Sequence, residues 1–402
     1  MPLVKIRSIS KNYRVILTKR LAYSFASGLT QNYTSIYIVK LGANPVQLGG
    51  LNTIGSLVSA VVSSITGWFA DHYSLRKVYL ASLAVTIISP LVYFIAKDWR
   101  LTLIPILIFH ISMWTISLLE TIIIAESLPR RSRATGFSLT YALSGLASII
   151  SPMVAGMILS YLGGLYVRNI RLLFLVQFII MSCTFLWTVM NLSEVHVNRH
   201  NLSSSPFTEL KYLFRSVGVK KWLIVESLGA FIFGAVNPFV MVYAAEIKGA
   251  DALTLGIMGS VQNLTYMLSV IPVGRLADRI GRKWTILLLR PCLYASMLTL
   301  VFAPSKTYLI IAAALRGLSW SAMGAWSSIR MELVDRPLRG MWSGLIGMLR
   351  GLARAPASLI GGLLWTNISP GAPFIMLVLV DVSIRMPLVL KMPETLALKT
   401  GE

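Results

Sequence analysis

Eight ionisable residues interrupt stretches of this chain that are otherwise apolar: His110, Glu120, Arg290, Arg316, Arg350, Arg354, Asp381 and Arg385. A charge in hydrocarbon is costly enough that it must be paired or face water, so each is a candidate for binding or proton handling. Arg350 and Arg354 are four positions apart, which on a helix places both guanidiniums on one face. Such a pair can grip a carboxylate, phosphate or sulfate through forked hydrogen bonds, or it can be neutralised inside the protein, with Asp381 as a partner. Asp381 and Arg385 have the same spacing and can neutralise each other. Glu120, His110 and Asp381 are the proton-coupling candidates, each against a competing role in packing or pairing.

Polar and aromatic residues elsewhere in apolar stretches, namely Gln31, Asn32, Tyr33, Asn237, Gln262 and Asn263, are expected to line a cavity together with Arg316, Arg350 and Arg354. Arg20 and Glu226 occupy matching places in the two halves with opposite sign, and could join the halves or reach outward by snorkelling. Other chemistry is missing. No phosphate-cradling Gly-Lys-Ser/Thr loop is present, and the four histidines and two cysteines have no ligand spacing. The sequence therefore predicts no catalytic residue, metal or cofactor.

The elements that position these residues are membrane spans. Hydrophobic residues make up 55% of the 402 residues, charged residues only 13%, and mean hydropathy is +0.72, too apolar for an ordinary soluble chain. Stretches long enough to cross about 30 Å of hydrocarbon fall near 21–39, 46–70, 78–96, 101–125, 135–160 and 172–191. A second set falls near 222–245, 253–274, 284–302, 307–329, 341–364 and 371–390. Of the 37 Lys and Arg residues, 25 lie in the first 20 residues, the loops after even-numbered spans and the C-terminal tail, against seven in the loops after odd-numbered spans. That bias predicts a multi-pass protein of the cell membrane with both termini cytoplasmic. It also accounts for the net charge of +22 through the anionic inner leaflet, without nucleic acid.

The chain is duplicated. Gly67, Ala70, Asp71, Arg76 and Lys77 recur 207 positions later as Gly274, Ala277, Asp278, Arg282 and Lys283, each set at the end of one apolar run and the start of the next. Phe25, Gly28 and Tyr37 recur as Phe231, Gly234 and Tyr243, and Glu126 and Arg133 as Glu332 and Arg339; Pro152 matches Pro356, and Glu194 matches Glu394. Three units are expected: residues 1–192 and 220–402 as six-span bundles, and 193–219 as a cytoplasmic linker with a short interfacial helix.

The pattern Gly-x-x-x-Asp-Arg-x-Gly-Arg-Lys from Gly274 to Lys283 resembles the signature loop of the major facilitator superfamily. Its N-terminal copy departs from the pattern at His72, Ser74 and Leu75. The resemblance covers essentially the whole chain and implies an all-α membrane fold, twelve transmembrane helices in two pseudo-symmetric six-helix bundles, and secondary transport of a small-molecule substrate by a monomer in the lipid bilayer. It also implies a conformational latch of Asp71, Arg76, Lys77, Glu126, Arg133, Asp278, Arg279, Arg282, Lys283, Glu332 and Arg339. In that latch Asp71 would approach the start of span 11 near 340–343, and Asp278 the start of span 5 near 134–137, when one side is closed. Ala147, Ser151, Pro152, Ala155 and Gly156 resemble a degraded drug and proton antiporter element, echoed in span 11 around Pro356, so proton-coupled efflux of drugs or metabolites stands as the alternative to an anion substrate, and a non-transporting solute receptor on the same fold as the alternative of another class. Arg316 resembles an Arg-containing motif usual in span 4, where this chain has no Arg.

Overall fold

The computed structural model of the chain describes residues 10–72, 74–129, 132–194, 218–334 and 338–395; the side chains of 62–72, 113, 114 and 340 lie outside that description. So do most of the expected linker helix and the carboxyl group of Asp71. The described residues are almost wholly helical, and twelve spans follow one another in the expected order. Span 1 is Lys11–Gln31 continued by Thr34–Lys40, then come Pro45–His72, Leu75–Ile95, Leu103–Ser127, Arg133–Tyr161 and Val167–Asn191 as spans 2 to 6. Span 7 is Val219–Val236, running through Val240–Val242 to a π-helical turn at Tyr243–Ile247, and spans 8 and 9 are Ala252–Ile280 and Arg282–Phe302. Span 10 is Lys306–Trp320 with Met323–Glu332, span 11 is Arg339–Asn367, and span 12 is Ala372–Val380, carried through a π turn at Asp381–Arg385 to Met386–Leu390.

Eight of these are apolar and long enough to cross a membrane on their own composition. Spans 1, 8 and 11 fall short, and span 2 runs into residues outside the description. Spans 1, 8 and 11 carry Lys19, Arg20, Arg275, Arg350 and Arg354, and the neighbours they pack on take the place of lipid. Span 1 also begins ten residues earlier than its apolar run suggests. The Ser10 hydroxyl caps it by accepting from the Tyr13 amide at 3.3 Å. Lys19 and Arg20 are thereby drawn into the bundle interior and do not stand at its rim.

Each half repeats the same packing, and the halves meet along two seams, span 2 against span 11 and span 5 against span 8. Repeated hydrogen bonds mark the pseudo-symmetry. The Tyr37 hydroxyl donates to the carbonyl of Tyr93 and its counterpart Tyr243 to that of Val301; Arg133 donates to the Leu128 carbonyl and Arg339 to that of Val334.

The apolar core is shared at one end and divided at the other. One cluster joins Leu29, Tyr33 and Tyr37 of the first half to Val236, Phe239, Leu255 and Phe374 of the second. Two further clusters, around Tyr79 and Ile123 and around Trp222 and Trp342, each belong to one half. The shared core lies at the end remote from the repeated Asp-to-Lys motifs, here called the far end; the divided cores lie at the motif end.

Cross-half bonds concentrate toward the far end. Asn32 donates to the Leu255 carbonyl at 3.1 Å, the Tyr33 hydroxyl to that of Ala252 at 2.9 Å, and Lys40 lies 3.3 Å from Glu246. Lys40 and Glu246 are themselves separated by 206 positions, so this ion pair joins symmetry mates. Asp251, which caps span 8, is held by Lys306 and the Thr254 amide, and those partners lower its pKa to about 2.

Close approach at the far end depends on glycines. A methyl group on Gly156 would sit 2.8 Å from the Ala252 carbonyl oxygen, and one on Gly362 would sit 2.5 Å from that of Pro45. Gly156→Leu is expected to wedge the far end open. Labelling of Asn32→Cys by a membrane-impermeant maleimide should then rise about tenfold over the Gly156 parent, for an overpacking cost of ~1.4 kcal/mol; an unchanged rate would show that this glycine does not hold the seam.

Candidate functional site

The C-terminal half encloses a cavity of about 390 Å³. Five guanidiniums line it, from Arg290, Arg330, Arg350, Arg354 and Arg385, together with Phe233, Tyr266, Trp320 and Trp326 and the amide of Asn237. Span 7 gives Phe233 and Asn237, span 8 gives Tyr266, span 10 gives both tryptophans, and spans 9 to 12 give the arginines.

Two carboxylates answer these five cations among the described residues. Glu226, 5% exposed, accepts from Arg330 Nη2 at 2.8 Å and Nε at 3.1 Å, and Arg350 Nε lies 3.6 Å away. Asp381 is fully buried behind the wall; it accepts from Arg290 at 2.5 and 2.7 Å, from the Tyr294 hydroxyl at 2.7 Å and from Arg385 at 3.3 Å. Arg385 also donates to the Val225 carbonyl and stacks its guanidinium over Trp326, 4.3 Å from the ring centre.

Asp381 therefore neutralises Arg290 and Arg385 and has no contact with Arg350 or Arg354. The alternative in which it neutralises the span 11 pair is corrected, because the π turn points Asp381 toward span 9. With four donors and no exposure, it is also poorly placed as a proton carrier. Arg354 has no hydrogen-bond or ion-pair partner among the described residues, and it borders both this cavity and a smaller one shared with Ser56, Ser59 and His110 between the halves. Arg316 donates to Asn237 at 2.6 Å over the ring of Trp320, with its Nε unpartnered.

The N-terminal half holds a second cavity, about 340 Å³, lined by Lys19, Arg20, Tyr23, Gln31, Glu120, Gln177 and several serines. Glu120 accepts from Lys19 at 2.5 Å and from the Tyr79 hydroxyl at 3.0 Å, with Arg20 at 3.5 Å. Arg20 and Glu226 thus do not meet: each ties its own half's first span to its fourth, as Arg20–Glu120 and Glu226–Arg330, with the sign inverted between halves. His110 packs edge-on against Phe109.

Of the other expected lining residues, Gln31 and Asn237 face cavities. Asn32 and Tyr33 serve the far-end seam instead, Asn263 donates across the halves to the Ser148 carbonyl at 2.7 Å, and the Gln262 carbonyl backs Gly317 of span 10. Sequence reasoning passed over Arg330, Lys19 and the cavity role of Glu226, since all three lie at the margins of the apolar runs.

At the motif end the charged residues clasp each half to itself. Glu394 accepts from the amides of Arg282 and Lys283 at 2.9 and 3.0 Å, a carboxylate at the start of span 9. Lys283 donates to the Met392 carbonyl at 3.0 Å, and Arg282 lies 3.1 Å from Asp278 and 3.5 Å from Glu332. In the first half Arg76 donates to the carbonyls of Leu192 and Val189, Ser74 donates to Glu194 and accepts from the Lys77 amide, and Arg133 stands 3.9 Å from Glu126. Asp278 is 72% exposed, Arg279 is exposed, and Ala134 and Thr135 are exposed opposite them, so the expected contact of Asp278 with span 5 is not made in this arrangement. The physical reason is the divided core: the halves stand apart at this end. Among the described residues no group of three or more His, Cys, Asp or Glu is placed to hold a metal ion.

The model of the Major Facilitator Superfamily matches residues 20–355. An uncharacterised MFS-type transporter, MJ1317, of Methanocaldococcus jannaschii is 23% identical over 374 residues, 92% of each chain. A multi-drug resistance efflux pump PmrA homolog of Lactococcus lactis subsp. lactis is 26% identical over 310 residues, 73% of each chain. Among solved structures, the nucleoside transporter NupG superposes with a TM-score of 0.75 at 15% identity, covering 95% of this chain and 100% of that one.

Such distant relatives fix the fold and leave individual side-chain pairs to be tested on this chain. Lys19 and Glu120 are 3% and 4% exposed, and removing one partner of a buried pair strands the other charge. Glu120→Gln should lower stability by about 3 kcal/mol in detergent unfolding, and the double variant Lys19→Met, Glu120→Leu should recover most of that loss. Equal stability of the single variant and the parent would show that the pair is not needed for folding.

Proposed function

Because the chain belongs to the Major Facilitator Superfamily, we propose that it carries a small organic anion across the cell membrane by alternating access, with a proton gradient as the energy source. Its curated relatives are transporters and not enzymes. The observation that carries the reading is the cation excess of the C-terminal cavity among the described residues: five arginines against Glu226 and the buried Asp381, with Arg354 unpartnered there. A guanidinium in a membrane protein is tolerable where water or a ligand anion compensates it, and the aromatic wall suits a flat organic body.

In this reading residues 1–192 and 220–402 are the two rocking bundles, 193–219 links them, and the motif end faces the cytoplasm, an orientation supported by the distribution of Lys and Arg. The shared core at the far end and the divided cores at the motif end correspond to a state open toward the cytoplasm. The clasps around Asp278, Arg282 and Glu332, and their counterparts around Arg76 and Glu126, would exchange partners across the seam when that side closes. The transporter works as a monomer, since each half supplies the other's closing surface.

A second reading, multidrug efflux, is favoured by the name of the Lactococcus relative and by Phe233, Tyr266, Trp320 and Trp326 in the wall. The arginines restrict it to anionic or neutral drugs. Uptake and efflux of a solute panel in proteoliposomes, with and without a pH gradient, separates the readings. Arg354→Gln should reduce transport of aromatic carboxylates at least about tenfold, the equivalent of one charged hydrogen bond. Undiminished carboxylate transport by that variant, or transport confined to cations, would contradict the anion reading.

A further inference from the structure

Glu226 occupies two guanidiniums that a substrate anion would need. Its carboxylate lies on the cavity wall, not behind it, and holds Arg330 through two hydrogen bonds while Arg350 stands 3.6 Å off. Arg354, one turn along span 11 from Arg350, has no partner among the described residues, so a third guanidinium waits beside the two that Glu226 holds. We propose that Glu226 is the proton-coupling carboxylate of this transporter: a proton on Glu226 frees Arg330 and Arg350, and the substrate anion takes its place. This rests on the reading of the cavity as an anion site.

Charge balance gives the stoichiometry. The unliganded cavity contains Glu226 as a carboxylate against Arg330 and Arg350. One proton converts that carboxylate to a neutral acid, and one negative charge on the substrate replaces it, so the total charge of the site does not change. A monoanion would therefore travel with one proton, electroneutrally, and respond to a pH gradient but not to membrane potential.

The other acidic residues are less suited. Asp381 is surrounded by Arg290, Arg385 and Tyr294, with no exposure through which a proton or a substrate could reach it. Glu120 faces the other cavity, and its shortest partner is the Lys19 ammonium, 3% exposed. The charged groups around Glu226 are Arg330 from span 10, Arg350 and Arg354 from span 11, Arg290 from span 9, and Arg385 with its partner Asp381 from span 12; span 8 faces the cavity with Tyr266. All the uncompensated neighbours are cations, so a carboxylate in this place is the natural charge for a substrate to replace.

Benzenesulfonate, which stays ionised at every working pH, is the probe. Its equilibrium binding to the purified full-length protein should strengthen from pH 8 to pH 6, approaching about tenfold per pH unit for a one-proton linkage, with one proton taken up per anion bound in weakly buffered solution. Glu226→Gln should bind it tightly at both pH values with no proton uptake; in proteoliposomes it should keep anion counterflow and lose accumulation driven by a pH gradient. A Glu226→Gln variant with the parent's pH dependence would overturn the proposal, and so would a folded variant that binds no benzenesulfonate, or parent binding without proton uptake. Absence of binding by the parent at any pH would instead overturn the anion site on which the proposal stands.

Discussion

Arginine in the interior of a membrane protein sets the terms for everything around it. A guanidinium does not shed its charge at any accessible pH, so each must be met by a carboxylate, a carbonyl, an aromatic face or a water-filled space. Spans 9 to 12 carry five such groups into one cavity. Asp381 meets Arg290 and Arg385 from behind, with Trp326 under the latter. Glu226 meets Arg330 and stands near Arg350. The balance left over belongs to the solvent or to a solute, and the proposed anion selectivity rests on that unmet charge.

Duplication built the scaffold, and divergence built the site. Both halves place clasps at corresponding positions of the motif end, with different partners, and keep the same tyrosine bonds at the far end. They part at the junction of the first and fourth spans of each half, where Arg20 binds Glu120 in one and Glu226 binds Arg330 in the other. Inverting the sign at a symmetry-related place leaves the helix-to-helix tie intact while changing what each cavity presents. The N-terminal cavity sets Lys19, Arg20 and Glu120 among hydroxyls and amides; the C-terminal one offers five arginines and rings.

Much of this architecture was legible in the sequence because bilayer thickness and hydropathy fix span number, and because the repeated Asp-to-Lys loops fix the register of the duplication. Pairing was less legible. Helical spacing brings Arg350 beside Arg354 and Asp381 beside Arg385, but cannot say which span faces which, and so it left Asp381 open as a partner for the wrong arginines. Lys19, Glu226 and Arg330 lie where apolar runs give out, and hydropathy places them at the membrane rim; helices that extend beyond their apolar runs carry them into the interior. The family resemblance implies a partner for Asp278 in the other half, but spacing cannot say in which arrangement of the halves such a contact forms, and here Asp278 is exposed.

The claim on which the account turns is that the C-terminal cavity selects negative charge. Equilibrium titration of the purified protein with benzoate, benzyl alcohol and benzylammonium, three ligands of nearly one shape, followed by quenching of tryptophan fluorescence from Trp320 and Trp326, compares the charges directly. Saturable quenching by benzoate, lost in Arg354→Gln and absent with benzylammonium, is the predicted result. Tighter binding of benzylammonium than of benzoate would contradict it.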